Sequence, residues 1–170
     1  MVGRLRQGLR ALFAWAQPVD FDLAASLLAP PLLALFRQMR RSEQLHSLNV
    51  LRTLQGWGYA DPPLLVAALL HDVGKSRTPF HLWDRVLVVL VRAAAPRFAY
   101  RLGQGRLSGL ARPFVISYRH PAWSADMVAA AGADSVTVAL IREHARYLDS
   151  EPRNDHERLL TALQDADNAN

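Results

Sequence analysis

The run Leu64-Leu65-Val66-Ala67-Ala68-Leu69-Leu70 is uninterrupted apolar sequence, and it ends on His71-Asp72. A segment this apolar is buried on every side, so the chain must wrap its other elements around it. The same segment carries an imidazole and a carboxylate into the interior. Without partners, burying such groups costs several kcal/mol, or shifts their pKa values until they are neutral. A bound cation is one of the few arrangements that makes the pair favourable.

The neighbouring segments read almost throughout as helix. Residues 2–16 form a basic amphipathic helix that Pro18 ends. Its apolar stretch is about six residues long, shorter than a signal-peptide core, although Ala14-Trp15-Ala16 resembles a cleavage site. Residues 20–40 are broken by Pro30-Pro31 into two short helices. Ser42 is a candidate cap for a helix to about 55, with Gly56 and Gly58 as its stop. Asp61-Pro62-Pro63 starts the helix of residues 64–72, which Gly74 breaks. The stretch from 80 to 95 has β-branched character, but its length and alanine tail predict a helix ended by Pro96. Residues 97–112 read as loop or broken helix. Pro121 is expected to start a helix over 121–131, Asp134 or Ser135 to cap one through about 148, and Asn154 or Asp155 to cap the last, 156–167, after a polar loop at 149–155. The expected fold class is all-α: a helical preface over 1–41, then a domain over 42–170 with an inserted segment at 76–113 that matches no recognisable pattern.

A chain of 170 residues can bury one sizeable core. It has no cysteine, which excludes disulfides, zinc–thiolate sites, iron–sulfur clusters and thiol catalysis. Any metal must be held by nitrogen and oxygen. The net charge of +5 comes almost wholly from arginine and lies along the chain without aromatic interleaving, so no nucleic-acid motif or partner is expected. No segment reaches the ~18 apolar residues of a membrane span. The expected location is cytoplasmic, with peripheral membrane contact open to the basic N-terminal helix.

Six residues stand out in order: His46, His71, Asp72, His120, His144 and an aspartate near the C-terminus. His46 lies on a helix apolar on most faces, and His144 on the stripe of Leu140, Ile141 and Leu148. His120 precedes Pro121, at an expected helix mouth. Asp167 follows Leu163 by four and Leu160 by seven, whereas Asp165 points about 200° away, so Asp167 is the candidate. His81 and His156 sit in first turns and are not expected as ligands. Trp83, Trp123 and Tyr118 read as packing residues; Arg119, Arg142 and Arg146 flank site residues and read as solvated faces.

These residues resemble the HD-domain metal-dependent phosphohydrolase superfamily, over roughly residues 42–168. The carrying motifs are His46, HDVGK at 71–75, His120-Pro121, the EHARY segment with His144 and the DAD segment with Asp167. The resemblance implies a helical bundle with divalent metal at its centre, held in the simplest members by the equivalents of His46, His71, Asp72 and Asp167. The extra pair, His120 and His144, resembles members with two ions, in which Asp72 would be the bridge. Iron, manganese, cobalt, nickel, zinc or magnesium suits such ligands. The implied activity is hydrolysis of a nucleotide or other small phosphate ester by metal-activated water. Asp72 and Lys75 would be the catalytic residues. Lys75 is the only lysine against nineteen arginines, which suggests a compact ammonium for a substrate phosphate. The stretch after His144 lacks the Gly-Tyr-Pro of the cyclic-dinucleotide branch. Spacing around His46 and HDVGK is more similar to members acting on dinucleoside polyphosphates. Two alternatives share the ligand series: a di-iron oxygenase, and a non-catalytic regulatory module in which the preface and the 80–95 helix form a partner or membrane surface.

Overall fold

The computed structural model describes residues 18–78, 80–146 and 152–170, all of them helix, 3-10 turn or connection, with no strand among them. The expected helix over 2–16 lies outside the described residues, as do residues 149–151 of the polar loop at 149–155.

The helices follow from local signals. In α1, Phe21–Leu27, the cap Asp20 accepts the Leu23 N–H at 3.0 Å. Pro30, at the first position of α2, Pro30–Gln38, closes α1 and opens its successor. Helix α3 spans Arg41–Gly56 and its cap is Arg40, not Ser42. Met39 and Arg40 are extended, and the Glu43 carboxylate takes the Arg40 N–H at 3.3 Å, so the acid three residues in decides the start. Gly58, at φ +86°, makes the left-handed turn that ends α3, with the Tyr59 N–H reaching the Leu54 carbonyl. Helix α4, Pro62–Leu70, stops two residues earlier than expected. Gly74 does not break it: the chain passes from His71-Asp72 into a 3-10 turn, Val73–Arg77.

The segment read as β-branched is helix α5, Leu82–Ala94, and Pro96 begins α6, Pro96–Gly103, where a loop or broken helix was expected. Helix α7, Arg112–Ala130, is the longest. Pro121 lies inside it and starts nothing. Helix α8, Ser135–Glu143, is capped by Asp134, which accepts the N–H groups of Val136 and Thr137, and it ends at His144 rather than near 148. Helix α9, Asp155–Ala169, is capped by Asn154.

Helix α4 is the axis. Its residues Leu64, Leu69 and Leu70 are fully enclosed by α1, α2, α3, α8 and α9. Phe36, Leu48, Leu51, Ile141, Leu160 and Leu163 complete one core. Each such side chain contributes about 1.5–3 kcal/mol on burial. Residues Ala24, Leu32 and Phe36, from the stretch read as a preface, belong to that same cluster. Helices α5 and α6 are different. They touch α7 through a satellite cluster of Val88, Ala99 and Phe114.

Candidate metal centre

The centre forms where α4 ends. His71 is still helical (φ −54°, ψ −32°), Asp72 turns the backbone (φ −99°, ψ 1°), and the 3-10 turn then runs against α7. Contact there is close. The Gly74 N–H donates to the Ser124 hydroxyl at 2.8 Å. A Cβ on Gly74 would lie 2.5 Å from the His120 carbonyl oxygen and 2.7 Å from the Ser124 nitrogen. Glycine is required here for approach, and the approach sets Asp72 beside His120.

All six candidate residues converge. His46 in α3 and Asp167 in α9 meet with Nε2 and Oδ1 2.7 Å apart, and Asp167 Oδ1 is 3.6 Å from His71 Nε2. On the other side, His120 Nε2 is 3.2 Å from Asp72 Oδ1 and 3.2 Å from His144 Nε2. His46, His71 and Asp167 form one set of potential metal ligands, and Asp72, His120 and His144 form another, the atoms of each set within 4.8 Å of one another. The Asp72 carboxylate spans both: Oδ1 faces His120 and His144, and Oδ2 is 3.7 Å from His71 Nε2. His46 is not fully buried as its helix position suggested. Its side chain is 24% exposed, because the ring turns to Asp167 at the open side of the site. Asp165 is exposed and Asp167 is half-buried. Asp167→Ala is therefore expected to weaken metal retention at least tenfold, while Asp165→Ala leaves it unchanged. Metal titration of the two variants side by side checks this.

The imidazoles are oriented by the backbone. A carbonyl only accepts, so a ring nitrogen bonded to one carries the hydrogen. His71 Nδ1 donates to the Ala68 carbonyl at 3.0 Å, His144 Nδ1 to Ile141 at 2.7 Å, and His120 Nδ1 to Ser117 at 3.0 Å. In each case the acceptor lies three residues back, and Nε2 is aimed into the site. Such outer contacts fix the tautomer of a metal-ligating histidine. For His71 and His144 the acceptors lie in a last helical turn, where carbonyls lack helical partners. His120 is mid-helix, and the sequence expectation of a helix mouth is wrong. Pro121 supplies the equivalent there: it has no N–H for the Ser117 carbonyl, which therefore remains for the ring. Pro121→Ala restores that N–H as a competitor. It is expected to weaken metal retention several-fold while thermal stability holds or rises. Metal titration together with thermal unfolding reads both effects.

The electrostatics differs from ring to ring. Burial alone would lower His71, but Asp72 and Asp167 outweigh it and raise its pKa to about 8. Burial and the neighbouring His120 and His71 push His144 down to about 3. Burial, then the Lys75 charge, lowers His120. Asp72 is held well below the usual carboxylate range: burial opposes this, but Lys75 and His71 prevail. Asp167 is likewise depressed against its burial, by its hydrogen bond with His46 and by the neighbouring His71 imidazole.

A divalent ion fits this donor set. His71 Nε2 is buried and has no hydrogen-bond partner. The Nε2 atoms of His120 and His144 face each other with both Nδ1 hydrogens committed elsewhere. Lone pairs converging with no proton among them are stabilised by a cation. Lys75 sits at the rim, its side chain 16% exposed and its ammonium 2.5 Å from Asp72 Oδ2.

Other residues stand as follows. His81 begins α5, and His156 lies 3.8 Å from Glu143; neither joins the centre. Trp123 lies under the Arg77 guanidinium and Tyr118 packs edge-on to Tyr100. Arg142 pairs with Asp126 and Arg146 with Glu143 on the surface. Sequence reasoning missed Ser124 and Gln164. Ser124 follows His120 by four, on the same helical face, which was the available signal. Gln164 Nε2 donates to the carbonyls of His144 and Arg146, tying the end of α8 to α9. Nothing local marks it.

A family model described as the HD domain matches residues 45–169. The chain belongs to the HD-domain family. Members of that family typically are metal-dependent hydrolases that bind divalent ions, and some are non-catalytic. Neither the curated proteins nor the solved structures contain a match to this chain.

Proposed function

We propose that the protein is a phosphohydrolase with a binuclear metal centre, acting on a nucleotide or another small phosphate ester. The single observation that carries this reading is the Asp72 carboxylate, which turns one oxygen to His120 and His144 and the other towards His71. A carboxylate between two sets of nitrogen ligands suits two neighbouring cations. His46, His71 and Asp167 would hold one ion, His120 and His144 the other, with Asp72 shared. When bound, the pair supplies Lewis acidity for a phosphoryl group and lowers the pKa of water to near neutrality.

The chain's own residues do the rest. The three Nδ1 contacts hold Nε2 of His71, His120 and His144 aimed inward. Lys75 keeps Asp72 ionised and places a positive charge at the rim, where a substrate phosphate would arrive. The open side beside His46 and Asp167 is the route by which a small ester reaches the centre.

Reconstitution with iron, manganese, cobalt, nickel, zinc or magnesium, followed by a phosphate-release screen over nucleotides, tests the reading. Oxygen uptake by the iron form without phosphate release would assign the same ligands to an oxygenase. Full metal loading with neither activity would make the domain regulatory. Lys75→Ala is expected to lower phosphate release about a hundredfold with metal content unchanged. Equal turnover in that variant would remove the lysine from the mechanism.

A further inference from the structure

Helix α8 ends without a local stop. Helices α3 and α7 run into Gly58 and Gly132, both at φ +86°, and close their last turns there. No glycine occurs after Gly132. His144, which follows α8, is still helical at φ −57° and ψ −24°. Carbonyls at a helix C-terminus have no partner in their own helix. Two of those at this end are taken from outside. Gln164 Nε2 donates to the His144 carbonyl at 3.1 Å and to the Arg146 carbonyl at 2.6 Å. A side-chain amide carries two N–H hydrogens, one for each. The cap of α8 is therefore a side chain of α9.

This cap sits between the two sets of potential ligands. Gln164 precedes Asp167 by three residues, so the two lie on neighbouring turns of α9. Asp167 meets His46 in one set, and His144 belongs to the other. His144 is held at two points. Its ring Nδ1 donates to the Ile141 carbonyl at 2.7 Å, and its own carbonyl accepts from Gln164. Its Nε2 then lies 3.2 Å from His120 Nε2 and 3.9 Å from Asp72 Oδ1. A small rotation of the end of α8 would change both distances. Asp167 does not depend on this contact. Leu160 and Leu163 seat α9 in the core, and Asn170 at its end donates to Thr53 Oγ1 on α3 at 2.8 Å.

We propose that Gln164 is a positioning residue of the metal centre. By capping α8 it holds His144 in register with His120 and Asp72, and so sets the affinity of that half for an ion without altering the half formed by His46, His71 and Asp167. Contacts that orient a ligating histidine are worth about ten- to a hundredfold in metal affinity. Gln164 acts one bond further out, through the main chain, so the lower end of that range is expected. The effect on metal rests on the binuclear reading given above. The placement of the His144 ring rests on the hydrogen bonds alone.

Two substitutions separate hydrogen bonding from packing. Gln164→Met keeps the length and volume of the side chain and removes the donor, whereas Gln164→Lys supplies a donor again. Gln164 is only half-buried, and unchanged circular dichroism serves as the folding control. Cobalt(II) titration of the full chain, followed by visible absorption, reads the two binding steps. Gln164→Met should weaken one step about tenfold and leave the other, and Gln164→Lys should recover most of the loss. The weakened step should be the one that Asp167→Ala spares. In the metal-free protein, NMR of 15N-labelled histidine reads the ring itself. The His144 Nδ1–H should exchange with water about tenfold faster in Gln164→Met and at the parent rate in Gln164→Lys. Equal weakening of both steps, a Gln164→Lys protein as impaired as Gln164→Met, or an Nδ1–H indifferent to both substitutions would overturn the proposal. A parent that takes up fewer than two ions would overturn the binuclear reading instead, and the ring resonance would still decide the role of Gln164.

Discussion

Asp72→Ala is expected to leave the purified protein without divalent metal. The Asp72 carboxylate faces both halves of the centre: it is 3.2 Å from His120 Nε2 through one oxygen and 3.7 Å from His71 Nε2 through the other. Its removal takes away a potential ligand and the negative charge that faces both sets. It also strands Lys75, whose ammonium has Asp72 as its ion-pair partner. Breaking one side of a buried pair costs about 3–5 kcal/mol. Two losses should therefore appear together, bound metal by elemental analysis and stability by denaturant unfolding. Asp72→Asn separates them. It keeps the volume and part of the hydrogen bonding, so its stability should fall less while its metal content falls as far. Normal metal content in Asp72→Asn would show that this carboxylate is not a ligand.

Gly74→Ala is expected to damage the protein as severely, without touching a ligand. The added methyl group would meet the backbone of α7, at 2.5 Å from one atom and 2.7 Å from another, and a helix backbone does not yield as a side-chain tip does. Overpacking of this kind costs about 1–3 kcal/mol. The turn can avoid it only by withdrawing from α7, which breaks the Gly74 N–H to Ser124 bond and carries Asp72 away from His120. Metal retention should fall about tenfold or more in the fraction that folds. Ser124→Ala removes the hydroxyl without the collision, so a smaller loss of about 1–3 kcal/mol is expected from the unpaired N–H. Denaturant unfolding of both variants gives the comparison. A Gly74→Ala protein as stable as the parent would mean that the glycine serves only the turn's backbone conformation.

Much of the site was legible because several of its candidate residues sit on helices with a clear apolar stripe. Phase alone separates Asp167 from Asp165, two residues apart and on opposite sides of α9. The HD pair is visible because it closes a run too apolar to be anything but interior. The failures share one cause. Proline was read as a boundary at 121, and the helix through it, Arg112–Ala130, was missed because a proline's lost hydrogen bond can be repaired by a partner that sequence does not display. Here the carbonyl it frees is taken by the preceding histidine ring. Gly74 was read as a breaker for a similar reason. Its role is set by α7, fifty residues away.

The amino-acid sequence by itself determined the all-α class, the interior position of the run 64–70, the nitrogen and oxygen character of any metal ligands and the choice of the six candidate residues. These properties follow from periodicity and side-chain chemistry, both of which are local. Only the tertiary structure decided how closely the six approach one another around Asp72, that three rings are turned inward by backbone carbonyls, and that α5 leaves an apolar face uncovered. Those outcomes depend on which helix lies against which, and such contacts join residues far apart along the chain.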